Sequence, residues 1–229
     1  MNFVANSLLA VGASPIMARS PKEVAEIAVH SDALALNLGT LEDDTAQALV
    51  LAAQAAGAHG VPMVFDPVGV GATAFRRETA AAILKAGGPM VVKGNANEIR
   101  ALFTHQVGDV TIDGHIEPPE VEDMAKVLAA NNHGVVVVSG ARDVITDGER
   151  VAYVDDGHPM MTLVTAMGCT ATAIIGAFLS VNVDPFSASL HAMQVMGEAG
   201  RKAAWRSRGN GSMMVNFLDE LYALSHGCE

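Results

Sequence analysis

Short apolar runs alternate along this chain with longer stretches in which alanine, leucine and valine recur at helical spacing. Residues 33–38, 61–65, 90–92 and 135–139 read as strands, the last of them valine-rich enough to be buried on both faces. Residues 144–146 and 151–153 flank Asp147 and Gly148, a hairpin signal. Helices are predicted over 20–30, 41–59, 76–84, 120–131, 170–181, 185–206 and 213–224, with another opening at Ile99. Ser20, Pro21 and Glu23 together make a capping box with proline at the first helical position. Thr40 is placed to cap the 41–59 helix, whose first turn carries Glu42, Asp43 and Asp44 and whose end is marked by Gly60. Residues 209–212 read as a turn, and residues 105–119 are the least patterned and expected to be mobile. Strands alternating with helices imply βα units and a mainly parallel sheet, hence an α/β fold.

Composition narrows this picture. With 229 residues, 50% of them hydrophobic and 17% charged, the chain suits one large α/β domain better than two small ones. A net charge of −11 without basic runs argues against nucleic-acid binding, so a phosphorylated ligand would need local help from cations, helix amides or a metal. Cys169 and Cys228 form no C-x-x-C pair and no disulfide framework, which points to a reducing cytoplasm. The apolar stretches at 7–11 and 171–181 are too short for a leader or a membrane span, and a soluble protein is expected. The eight histidines lack metal-ligand spacing, and Walker, G-x-S-x-G and G-x-G-x-x-G patterns are absent.

Candidate chemistry collects at three loops. Asp66-Pro67-Val68-Gly69-Val70-Gly71 puts an acid at the carboxyl end of a strand, where open α/β sheets bind ligands. Lys93-Gly94-Asn95-Ala96-Asn97-Glu98 supplies a cation and a carboxylate after the next strand. Thr165-Ala166-Met167-Gly168-Cys169 runs into an apolar helix, so its amides can meet a phosphate at the positive end of the helix dipole. Taken singly, each has an ordinary reading as a turn or a solvated charge.

Together with Ala5 to Met17 and Asn37-Leu38-Gly39-Thr40-Leu41, these blocks resemble the hydroxyethylthiazole kinase family in order and spacing over almost the whole chain. The resemblance implies a ribokinase-like three-layer αβα sandwich. It also implies ATP- and Mg²⁺-dependent phosphorylation of the hydroxyl of 4-methyl-5-(2-hydroxyethyl)thiazole in thiamine salvage, by a homotrimer with active sites between subunits. Carried over by position, Asp66 and Glu98 would organise Mg²⁺, and Lys93, Ser139, Gly140 and Gly168 would contact ATP. Met17, Gly39, Thr40 and Ala166 would lie on the thiazole side. Cys169 stands where the wider group has a catalytic aspartate. A thiol of pKa about 8.5, lowered if the helix start acts on it, is a modest base; the alternative is a small residue that leaves room for substrate.

Four departures accompany the resemblance. Lys93 replaces the usual arginine fork, Ala166 the first glycine of the G-x-G-C turn, and Ser139-Gly140-Ala141-Arg142 the usual Thr-Gly-Glu. Residues 1–229 are expected to be a single kinase domain that begins inside the family's first helix region, without the preceding strand, leaving an unpaired sheet edge. The departures keep a second reading open, a binding or oligomerisation protein with lost turnover. A third, an ATP-dependent hydrate dehydratase, accounts less well for the thiazole-side blocks.

Overall fold

The computed structural model describes residues 1–88, 90–104, 118–132 and 134–227. Helices α1 (Asn2–Ala10) and α2 (Val24–Val29) precede β1 (Leu34–Asn37), α3 (Asp43–His59), β2 (Met63–Asp66), α4 (Ala74–Gly87), β3 (Val91–Asn95) and α5 (Ala96–Thr104). A 3-10 turn (Pro118–Val121) leads into α6 (Glu122–Asn132), β4 (Val135–Ser139) and the hairpin β5 (Asp143–Thr146) and β6 (Val151–Val154). A second 3-10 turn (Pro159–Leu163) and helices α7 (Met167–Leu179), α8 (Pro185–Trp205) and α9 (Asn210–His226) follow.

The strands form one six-stranded sheet in sequence order, β1 to β4 parallel and β5 and β6 antiparallel. Successive side chains of a strand face opposite sides of a sheet, so each strand feeds two cores. Leu36, Met63, Phe65, Val92, Val136 and Val138 pack with residues of α2 to α6. Val64, Val91, Val135 and Val137 pack with α7, α8 and α9 on the other face. This is the expected αβα sandwich. The alternation has a functional consequence: Asn37, Asp66, Lys93 and Ser139, at or near the carboxyl ends of β1 to β4, share the parity that faces α7.

The element ends differ from the sequence expectation where loop residues have other work. Thr40 does not cap α3; it adopts a left-handed conformation with φ 51°, and α3 begins at Asp43 after Glu42. Ser20 closes a turn by accepting from Lys22 N, and the helix starts only at Val24. Gly209 and Ser212 belong to the start of α9, where the Ser212 hydroxyl accepts from Gly209 N, rather than to a free turn. Lys93 and Gly94 are strand residues: β3 passes into α5 without a loop because Asn95 N donates to Glu98 Oε2 and Glu98 N to Asn95 Oδ1. Of residues 105–119 only Pro118 and Pro119 are described, and Cys228 also lies outside the described residues. β1 stands at one edge of the sheet among the described strands.

Candidate active site

The three loops singled out in the sequence meet at the carboxyl edge of the sheet, against the start of α7. Asp66, 2% exposed at the end of β2, accepts through Oδ2 from Thr172 Oγ1 on α7 at 2.7 Å and from Asn37 Nδ2 on β1 at 2.9 Å. Lys93, 3% exposed, donates from Nζ to the Gly168 carbonyl at 3.2 Å. The half-buried Glu98 accepts from Gly69 N at 2.9 Å through Oε1 and from Asn95 N at 2.8 Å through Oε2, tying the β2 loop to the start of α5. Arg76 of α4 ties that loop to the one after β1, donating from Nη1 to Leu38 O at 2.6 Å and to Val68 O at 2.7 Å.

Helix α7 has no side-chain cap. Its first intrahelical bond runs from Thr170 N to Ala166 O, so the amides of Met167, Gly168 and Cys169 are its orphan donors. Ala166 holds the turn with φ 66°, and an added Cβ at Gly168 would sit 3.2 Å from Lys93 Nζ. The Ser139-Gly140 turn is shaped by Asp143, whose Oδ1 accepts from Gly140 N at 2.9 Å. Gly140 also abuts Pro118, which a Cβ would meet at 2.5 Å.

The electrostatics follow from this crowding of carboxylates. Burial pushes the Asp66 carboxyl up, against the pull of Lys93 and Thr172. Burial raises Glu98 too, with Asp66 adding to the rise and the Asn95 and Gly69 amides opposing it. Two neighbouring carboxylates that cannot both be charged cheaply are suited to a hard divalent cation. Among the described residues no group of three or more His, Cys, Asp and Glu could hold a metal, so a bound cation would be one that keeps much of its water. Cys169 sits at a helix start that by itself would lower a thiol. Its thiol is pushed up, by burial first and then by the charge of Asp66, which together outweigh the Asn37 hydrogen bond and Lys93.

A profile of the hydroxyethylthiazole kinase family matches residues 1–227 of this chain. The hydroxyethylthiazole kinase of Granulibacter bethesdensis is 46% identical, over 97% of this chain and 81% of its own length. That of Moorella thermoacetica is 45% identical, over 98% and 84%. The chain belongs to the hydroxyethylthiazole kinase family. The solved hydroxyethylthiazole kinase of Pyrococcus horikoshii superposes with a TM-score of 0.89 at 36% identity, over all of this chain and 85% of that one. A pyridoxal kinase from Staphylococcus aureus, solved with AMP-PCP and pyridoxal, shares only the fold, with a TM-score of 0.62 at 16% identity over 88% of this chain and 82% of its own.

Within this hydroxyethylthiazole kinase fold, Asp66, Lys93, Glu98, Gly168 and Cys169 are joined through the contacts above, and the Gly39-Thr40 turn joins them through Asn37, whose Oδ1 accepts from Gly39 N. Ser139 is linked more loosely, its hydroxyl 3.4 Å from Gly94 O. Met17 is not drawn in: it lies in the coil between α1 and α2, 41% exposed, beside Ile16 at 70%. Sequence reasoning missed Asn37, Arg76, Asp143 and Thr172. Asn37 opens a block that carried the resemblance, a signal that went unused.

Two expected results follow from the turns. At Ala166 the left-handed backbone costs an L-residue about 1 kcal/mol, so Ala166→Gly should raise unfolding stability by about 0.5–1 kcal/mol in urea titration. Asp143 is raised from 3.8 to about 6, burial outweighing the Gly140 amide and Lys93. Its folded form holds the proton more tightly than the unfolded chain. The stability linked to that proton is therefore full below about pH 3.8 and lost as pH rises through about 6. Asp143→Asn keeps an acceptor for Gly140 N without the charge. It should match the wild type near pH 4 and exceed it by about 2–3 kcal/mol at pH 7.5, measured by urea unfolding at both pH values.

Proposed function

We propose that this chain phosphorylates the hydroxyl of 4-methyl-5-(2-hydroxyethyl)thiazole with ATP, as a thiamine-salvage kinase. The observation that carries the reading is the meeting of the Asp66 and Glu98 carboxylates, the Lys93 ammonium and the orphan amides of α7 at one sheet edge, in a chain of this family. Phosphoryl transfer asks mainly for alignment and for neutralisation of the transferring oxygens. The amides of Met167, Gly168 and Cys169 and the Lys93 charge face that task. Ser139 and Gly140 contact the nucleotide on the β4 side, and Ala166 with the Gly39-Thr40 turn lines the thiazole side.

Asp66 and Glu98 fit Mg²⁺, because both hydrogen bonds to Asp66 converge on Oδ2 and leave Oδ1 unengaged by either, and each Glu98 oxygen accepts one backbone amide with lone pairs to spare. When bound there, the ion would offset charge on the phosphate oxygens. Cys169 serves as the small residue that leaves the acceptor alcohol room, and the burial that pushes its thiol up weakens it as a base. Cys169→Ala should accordingly keep kcat within about 3-fold of wild type, against the loss of about 100-fold or more that follows removal of a general base. The pH profile of kcat for both proteins measures this.

The exposed Ile16 and Met17 support a homotrimer whose thiazole pocket is completed by a neighbouring subunit. No described helix is long and apolar enough to cross a membrane, and the free Cys169 thiol supports a cytoplasmic location for residues 1–229 as one kinase domain. The non-catalytic reading has no observation in its favour. ADP release measured with the thiazole alcohol, with pyridoxal and with neither tests the assignment: dependence on the thiazole alcohol is expected, and release indifferent to it would overturn the reading.

A further inference from the structure

One side chain touches both halves of the site, and neither the family resemblance nor the chemistry of phosphoryl transfer gave it a role. Asn37 ends β1 in register with Asp66 on β2. Its Oδ1 accepts from Gly39 N at 2.7 Å, while its Nδ2 donates to Asp66 Oδ2 at 2.9 Å. The same side chain also opposes the upward push of burial on the Cys169 thiol. The partners fix the orientation of the amide, because a backbone N–H can only donate and a carboxylate can only accept. The turn is closed down on it: a Cβ at Gly39 would lie 2.8 Å from Asn37 Oδ1. Next in the chain is Thr40, held at φ 51°, a conformation that persists only where its surroundings enforce it.

We infer that Asn37 is a positioning residue that sets the acceptor turn at Gly39 and Thr40 against the phosphoryl-transfer centre. The inference rests on the thiazole kinase reading and adds to it the element that aligns the two substrates. The network is asymmetric. Asp66 Oδ2 keeps the Thr172 hydroxyl if Asn37 is removed, whereas the side-chain bond to Gly39 N comes from Asn37. Loss of Asn37 therefore frees the acceptor turn while Asp66 keeps one of its two side-chain partners, so it falls more heavily on the acceptor side than on the nucleotide side. Thr172 gives the opposite pattern, since its hydroxyl reaches Asp66 and the Gly168 carbonyl but not the acceptor turn.

The experiment compares phosphoryl transfer to the thiazole alcohol with alcohol-independent ADP release to water, using the full chain with Mg²⁺ and ATP. In Asn37→Ala, kcat for transfer should fall about 100-fold and the KM of the alcohol rise about 10-fold, as expected for a misplaced nucleophile. The KM of ATP and the alcohol-independent rate should change far less, by no more than about 5-fold. Asn37→Ser, whose hydroxyl is too short to hold Gly39 N and Asp66 together, should give the same signature, so it decides the matter if Asn37→Ala does not fold. Thr172→Val should raise the KM of ATP and leave that of the alcohol unchanged. Equal loss of transfer and hydrolysis in both Asn37 variants, or an unchanged alcohol KM, would overturn the positioning role. A wild-type chain without thiazole-dependent turnover would overturn the functional reading as well, a different result from an active wild type whose variants keep its ratio.

Discussion

Asp66→Asn should lower thiazole-dependent kcat by about 100- to 1,000-fold while the variant melts at or above the wild-type temperature. The two halves of this result have one cause. Asp66 is 2% exposed, and burial pushes its carboxyl up in spite of Lys93 and Thr172, so the charge is held at a cost to the fold. A residue retained at such cost serves the reaction. Asparagine keeps the shape and an acceptor oxygen for Thr172 and Asn37, and it removes the charge that a divalent cation needs. Glu98→Gln differs in one respect. Both Glu98 oxygens accept backbone amides, and an amide NH₂ cannot replace either acceptor, so this variant should lose activity and also about 1–2 kcal/mol of stability. Steady-state kinetics at saturating Mg²⁺ together with thermal melts separate the two. An Asp66→Asn chain with full activity at limiting Mg²⁺ would remove the carboxylate from the site.

Lys93→Met should be the most damaging single change near the site, costing about 3–5 kcal/mol of stability and at least about 100-fold in kcat. Lys93 is 3% exposed, and its charge opposes the upward push of burial on Asp66, Glu98 and Asp143 alike. Methionine fills much the same volume and leaves three carboxylates without that compensation. Lys93→Arg should retain the fold, because the charge remains. It should also tighten ATP about 5- to 10-fold, since a planar fork adds a second charge-assisted hydrogen bond to a phosphate. Urea unfolding of the methionine variant and calorimetric titration of ATP into the arginine variant measure the two effects. Weaker ATP binding by the arginine variant would mean that the Gly168 carbonyl, and not a phosphate, is what Lys93 is there to hold.

How much of this was legible in the sequence differs from residue to residue. Asp66 and Lys93 were legible because apolar strands carry them to the carboxyl edge of a parallel sheet, and a charged residue ending such a run is conspicuous. Asn37 ends a strand in the same way, but Asn-Leu-Gly also reads as an ordinary turn, and only the register that sets Asn37 beside Asp66 gives the amide its partners. Thr172 was hidden inside an apolar helix, where a threonine usually bonds its own backbone. Asp143 opens a short hairpin strand, and only the folded chain shows that it is buried and holds the Gly140 turn, which Pro118 abuts. The left-handed backbone of Thr40 carried no glycine to announce it, which is why Thr40 read as a helix cap, whereas that of Ala166 was signalled by the glycine that the family's turn has there. The sandwich was legible as a whole because each strand is apolar on both faces, and that pattern requires helices on both sides.

The burial of Lys93 also bears on how this protein can be handled chemically. Lys22 and Lys85 are exposed and Lys126 and Lys202 partly so, while the Lys93 amine is enclosed beside the Gly168 carbonyl. Acylating reagents that react with accessible amines should modify those four first and spare the lysine nearest the chemistry. Amine coupling to a solid support would thus tether the protein through surface lysines and leave the charge on which its carboxylates depend untouched.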